Sequence, residues 1–321
     1  MSLRIAAAAG ALCALLGTVA PSAAAVPAAV VTRATLANGL QVVVVRDPLA
    51  PVVTTELNYL AGSDESPPGF PGMAHAQEHM MFRGSPGLSA YQLAAITAQM
   101  GGDFDADTQP SVTQYYLTVP AEDLGVALHI EAARMRGILD SQTAWQEERG
   151  PIEQEVSADD SNPVREVFTT LQSELFAGAP YAINGVGTRS SFDKTTGAMI
   201  HDFYQRWYGP NDAILVVAGD VDPAAAIAQV KALFAPIARR PIPAEPKIAL
   251  APLKAASMTS DSDLPVPVAV VGYRMPGTDS PDFAASLVLG GVLSSERANL
   301  YALVPQGQAF QTFFFTNALP G

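Results

Sequence analysis

The stretch "GMAHAQEHMMFRG", residues 72 to 84, holds two of the chain's four histidines, with Glu78 directly before the second. On a helix, His75 and His79 fall about 40° apart and Glu78 about 60° to the other side of His75, so all three share a sector of about 100°. Two imidazoles at this spacing can hold one Zn²⁺, and a carboxylate beside them can take a proton from zinc-activated water. A catalytic zinc site needs a third protein ligand and an open fourth position. The lone cysteine, Cys13, lies in the leader, and His129 and His201 read as ordinary helix-face residues. The third ligand is therefore expected to be a carboxylate. A second stretch, "WQEERGPIEQEVSADDSNP", sets Glu148 and Glu155 seven residues apart, two turns along one helical face. Pro151 between them removes one backbone hydrogen bond and can bend the axis.

These side chains need a frame, and the surrounding pattern describes one. "ATLANGLQVVVVRD" predicts a hairpin, with Asn38-Gly39 as a two-residue turn. In "PVVTTELNYLAGS", Val53, Thr55, Leu57 and Tyr59 alternate with Thr54, Glu56 and Asn58, the period of a half-buried strand. Pro71 and Gly72 stand where the histidine helix would begin. Further helices are expected over "SAYQLAAITAQM", "AEDLGVALHIEAARMRGIL", residues 142 to 156, "TGAMIHDFYQRWY" and "PAAAIAQVKALFAPI". "TQYYLTVP" and "AILVVAGD" read as strands, and Trp145 and Trp207 as packing anchors. The mixed order favours an α+β fold over a regular parallel α/β sheet.

Composition narrows the classes. Of 321 residues, 49 % are hydrophobic and 15 % charged, so the chain reads as globular. A net charge of −13 without a basic run argues against nucleic acid and anionic membrane surfaces as partners. Residues 1–25 have the anatomy of a secretory signal peptide: Arg4, an apolar run from Ile5 to Val19, and a small-residue end at Ala23-Ala24-Ala25. Its removal leaves no cysteine, hence no disulfide and no thiolate ligand, and no stable membrane insertion. Export to a bacterial periplasm, or secretion, is the expected destination. Residues 26–237 form the expected catalytic domain and the Pro-rich stretch 238–252 a linker. Residues 253–321, with a strand in "VPVAVVGYRMPG" and a helix in "SPDFAASLVLGGVLSSERANLYALV", read as the truncated start of a second domain.

The ordered motifs resemble the M16 metallopeptidases, the inverted zincins that include pitrilysin, insulin-degrading enzyme and the mitochondrial processing peptidase β-subunit. His75-x-x-Glu78-His79 with its "EHM-F-GS" tail and Glu155 in "ERGPIEQE" are similar to that family's signature. "MGGDFDADTQPSVTQYYLTVP", "LFAGAPYAINGVGTRSSF" and "FYQRWYGPNDAILVVAGDVD" resemble its later landmarks. The resemblance implies a LuxS/MPP-like metallohydrolase domain with a mixed, largely antiparallel sheet packed by helices, followed by the start of a similar second domain. It implies one Zn²⁺ per chain held by His75, His79 and Glu155, with Glu78 as general base and Glu148 as a supporting carboxylate. Gly102, Asp103, Phe104, Asp105 and Ala106 would offer an edge strand to an extended peptide substrate. Asp105 stands where the family usually has Asn. A second M16-like half or subunit would close the chamber, and this chain ends before the family's Arg and Tyr contacts to peptide. A S-ribosylhomocysteine lyase-like site is set aside because it uses a cysteine ligand. The remaining alternative is a non-catalytic, peptide-binding partner subunit.

Overall fold

The computed structural model describes residues 30–244, 248–259 and 261–320. The expected signal peptide therefore lies outside the described residues. Strands β1 (Val30–Thr35) and β2 (Gln41–Arg46) form the first hairpin. Thr35 pairs with Gln41, so five residues connect the strands rather than the two expected. Asn38 explains the difference. It is buried, and its side-chain amide donates to the carbonyls of Phe234 and Ile237. The turn residue thus closes the end of a distant helix, and the loop is long enough to let it reach.

Strand β3 (Val52–Tyr59) buries Val53, Thr55, Leu57 and Tyr59 as the alternation predicts. Helix α1 (Met73–Met80) follows, then a short hairpin of β4 (Gly84–Ser85) and β5 (Leu88–Ser89). Helix α2 (Ala90–Met100) starts at Ser89, whose hydroxyl accepts from Gln92 N while the Gln92 side chain accepts from Ser89 N. That reciprocal box satisfies two backbone donors at the helix start. Strands β6 (Asp103–Thr108) and β7 (Thr113–Pro120) come next, then helices α3 (Leu124–Arg136) and α4 (Gln142–Asp160). Helix α4 continues through Pro151, four residues beyond the expected end.

Helix α5 (Pro163–Leu175) is an addition to the sequence reading. Asn162 caps it by accepting from Val164 N and Arg165 N, and Pro163 sits in its first turn. The short helix α6 (Arg189–Phe192) and α7 (Gly197–Trp207) lead to β8 (Ala213–Gly219) and α8 (Pro223–Phe234). Helices α9 (Phe283–Leu293) and α10 (Asn299–Ala302) complete the elements.

Six strands form one mixed sheet in the order β1-β2-β8-β3-β7-β6. Only β2 and β8 pair in parallel; every other neighbouring pair is antiparallel. The last strand among the described residues thus lies in the middle of the sheet. Val42, Val44, Leu57, Tyr115, Leu117, Leu215 and Val217 are buried along the sheet, with α3 packed on β3 and β7 and α8 on β2. Strand β6, at one end, is an edge. The strand expected in "VPVAVVGYRMPG" does not form: among the described residues 248–320 no strand is present, and Val271 and Tyr273 are exposed. A strand holds only when a neighbour takes its backbone groups, and none is paired there.

Candidate metal centre

Helix α1 begins from Gly72, whose φ of 83° is left-handed. A Cβ there would meet Gly187 Cα at 2.5 Å, so two glycines let backbone touch backbone. The same contact brings the Val186 carbonyl to His75, where Nδ1 donates to it at 2.9 Å. A carbonyl only accepts, so the proton sits on Nδ1 and Nε2 keeps a free lone pair. His79 is arranged alike: its Nδ1 donates to Glu148 Oε1 at 2.9 Å. Both Nε2 atoms then face Glu155, at 3.4 Å from Oε1 for His75 and 3.5 Å from Oε2 for His79.

Those distances test the fit of a zinc ion. Ligand atoms about 2.0–2.1 Å from a tetrahedral zinc lie about 3.3 Å apart. The two imidazole–carboxylate separations match that spacing. His75, His79 and Glu155 each offer one atom, all within 4.8 Å of one another, and no other such group occurs among the described residues. His129 instead donates to its own helix at Gly125 O, and His201 pairs with Asp140. The donor set, two nitrogens and one oxygen with both rings held from behind, suits zinc.

Helix α4 supplies both carboxylates and is anchored by Trp145, which is buried and donates from Nε1 to Thr195 O at 2.8 Å. Glu148 lies behind His79, and Glu155 is half exposed on its open side. The paired imidazoles hold the Glu155 carboxyl well below the usual carboxylate range. Burial pushes His79 down, but Glu148, Glu155 and Glu78 outweigh it and carry the ring up to about 9. A metal therefore competes with a proton for this nitrogen.

Glu78 is 9 % exposed and accepts from Thr108 Oγ1 at 2.5 Å. Burial raises its pKa, against the Thr108 hydrogen bond and the two histidines, which lower it. A carboxyl raised in this way, beside the three candidate ligands, has the chemistry of a proton acceptor. A cavity of about 400 Å³ joins these groups, lined by His75, Glu78, His79, Phe82, Phe104, Asp105, Ala106 and Glu155.

Of the five residues expected to meet substrate, Phe104, Asp105 and Ala106 line this cavity. Gly102 and Asp103 do not: Gly102 precedes β6 and spends its N–H on Thr97 O of α2, while Asp103 stands at the strand's far end. Glu148 also stays outside the cavity wall. Three contributors escaped the sequence reading. Phe82, three residues after His79, stacks on Phe104 at 5.4 Å. Thr108 follows Phe104 and Ala106 at the strand period, which was a usable signal. The Val186 carbonyl, a backbone group 111 positions from His75, carries none.

Comparison with known proteins gives the family of the chain. The family description "Insulinase (Peptidase family M16)" matches residues 41–189, and "Peptidase M16 inactive domain" matches 194–320. An uncharacterized zinc protease of Streptomyces coelicolor is 28 % identical over 204 residues, covering 64 % of this chain and 44 % of that protein. Zinc protease PqqE of Helicobacter pylori is 28 % identical over 192 residues, covering 59 % and 43 %. The chain thus spans about half the length of these curated relatives. Among solved structures, a protease from Helicobacter pylori superimposes with a TM-score of 0.77 at 23 % identity, covering 91 % of this chain and 72 % of that one. The first half of the periplasmic protease PqqL from Escherichia coli does so with 0.65 at 23 %, covering 69 % and 49 %. With two descriptions of one family following each other from residue 41 to 320, and the candidate metal-binding side chains inside the first, this chain belongs to the M16 peptidase family.

Proposed function

We propose that the chain is a zinc-dependent endopeptidase that hydrolyses extended peptides or unfolded protein segments. The observation that carries this reading is the convergence of two imidazole Nε2 atoms and Glu155 within 4.8 Å, in a cavity that Glu78 also lines. Zinc, when bound, supplies Lewis acidity toward the amide carbonyl and the attacking water. The chain's residues do the rest. His75 and His79 present Nε2 because Val186 O and Glu148 hold their other nitrogens. Glu78 takes the water's proton and can return it to the leaving amine. Strand β6, with one edge unpaired among the described residues, lies beside the cavity and would take a peptide as an added strand, demanding little of its side chains.

In this reading residues 26–237 are the catalytic domain, 238–252 a linker and 253–321 the start of a second, similar domain. A second M16-like half would complete the chamber. Export to the periplasm or beyond is supported by the leader's pattern and by the periplasmic PqqL fold neighbour; no helix among the described residues is long and apolar enough to cross a membrane.

The test is cleavage of a mixed pool of unstructured peptides, with zinc content measured alongside. Glu78→Gln is expected to keep zinc and slow cleavage on the order of 10² to 10⁴. Glu155→Ala is expected to lose zinc. A Glu78→Gln protein as fast as wild type removes Glu78 from the mechanism. Zinc bound by a wild type that cleaves nothing, even with a complementary half supplied, favours the non-catalytic partner role.

A further inference from the structure

Arg83 has no place in the chemistry above and does not line the cavity, yet both ends of its guanidinium are engaged near the site. Nη1 reaches Glu148 Oε2 at 3.4 Å, and Nη2 donates to Glu147 Oε2. Glu148 is the carboxylate whose other oxygen accepts from His79. After α1 ends, the chain keeps turning: Phe82 N donates to His79 O and Arg83 N to Met80 O. Arg83 therefore follows His79 by one turn, as His79 follows His75.

The result is three rungs between α1 with its extension and α4. His75 faces Glu155, His79 faces Glu148 from one side, and Arg83 faces Glu148 and Glu147 from the other. The numbers rise on one segment as they fall on the other, eight residues on each. Two rungs carry proposed metal ligands; the third carries none.

We infer that Arg83 is a positioning residue for the zinc centre: by holding the second oxygen of Glu148, it fixes the carboxylate that orients His79. The inference rests on the zinc reading proposed above. A carboxylate engaged at both oxygens has its plane set. Engaged at one, it can turn about its own stem, and the imidazole it steers turns with it. Partners standing behind metal ligands typically govern 10- to 100-fold in metal affinity. Arg83 acts one group further back, so about tenfold is expected.

The experiment measures the zinc dissociation constant by competition with a chromophoric chelator, on the full chain, for wild type, Arg83→Gln, Arg83→Lys and Glu147→Gln. The melting temperature of each zinc-free protein is recorded in parallel. Arg83→Gln should weaken zinc about tenfold, while its zinc-free melting temperature falls no further than that of Glu147→Gln. Arg83→Lys keeps the charge but not the fork, and should lie between Gln and wild type; it carries the test alone if the Gln variant does not fold. Zinc bound by Arg83→Gln as tightly as by wild type overturns the inference. So does equal loss in the Gln and Lys variants accompanied by a drop in zinc-free melting temperature, which would mark a purely structural arginine. A wild type that binds no zinc overturns the metal reading itself, a distinct result.

Discussion

Thr108 shows how little separates a buried carboxyl from a usable base. Burial alone raises the Glu78 pKa, and the Thr108 hydroxyl, at 2.5 Å, opposes that rise by stabilising the charged form. Thr108→Val removes the donor and keeps the shape of the side chain. The Glu78 pKa should climb further, so a smaller fraction is ionised at neutral pH. The acidic limb of the kcat/KM profile should then move to higher pH, with activity on that limb reduced and the plateau above it unchanged. Thr108→Ser should restore the limb. A profile unmoved in the Val variant would assign the limb to some other group.

At the scale of elements, the proposed centre rests on a backbone contact as much as on its candidate ligands. Gly72, at the start of α1, lies against Gly187, and their approach is what sets the Val186 carbonyl on His75. Gly72→Ala forces a Cβ to within 2.5 Å of Gly187 Cα at a left-handed φ. It should cost about 1 to 3 kcal/mol of stability and weaken zinc binding, read by denaturant unfolding and chelator competition. Normal zinc affinity in a destabilised Gly72→Ala protein would show that His75 does not need that carbonyl. None of this coupling is local, which bounds what the sequence can reveal. His75, Glu78 and His79 were legible because a helix face repeats every three to four residues, and β3 because its alternation is uninterrupted. Helix α5 had signals too, in Asn162, Pro163 and the spacing of Val164, Phe168, Leu171 and Leu175. The Val186 carbonyl was not legible, because every residue has a carbonyl and only the fold selects one. The strand expected near Val271 failed for the opposite reason: its pattern is genuine, but a strand also needs a neighbour.

The whole molecule joins α1 and α4 through the proposed metal, so zinc should stabilise the fold and not only the chemistry. At a free concentration one hundred times its dissociation constant, a ligand specific to the native state adds about 2.7 kcal/mol. For a domain of this size that raises the melting temperature by roughly 5 to 10 °C. Scanning calorimetry with and without a chelator checks it, and an unshifted transition would mean that zinc does not bridge the helices. Strand order carries a further consequence, one of timing. Val42 and Leu215 are direct partners across β2 and β8, although 173 positions separate them. Until β8 arrives, β2 and β3 have open facing edges, and the apolar rows Val42-Val44 and Leu57-Tyr59 are uncovered. Pairing across so long a loop is slow, and a chain waiting in that state is prone to aggregate. Every side chain of the proposed centre is present once Glu155 has been added to the chain, yet the sheet beneath it stays open until the chain reaches Gly219.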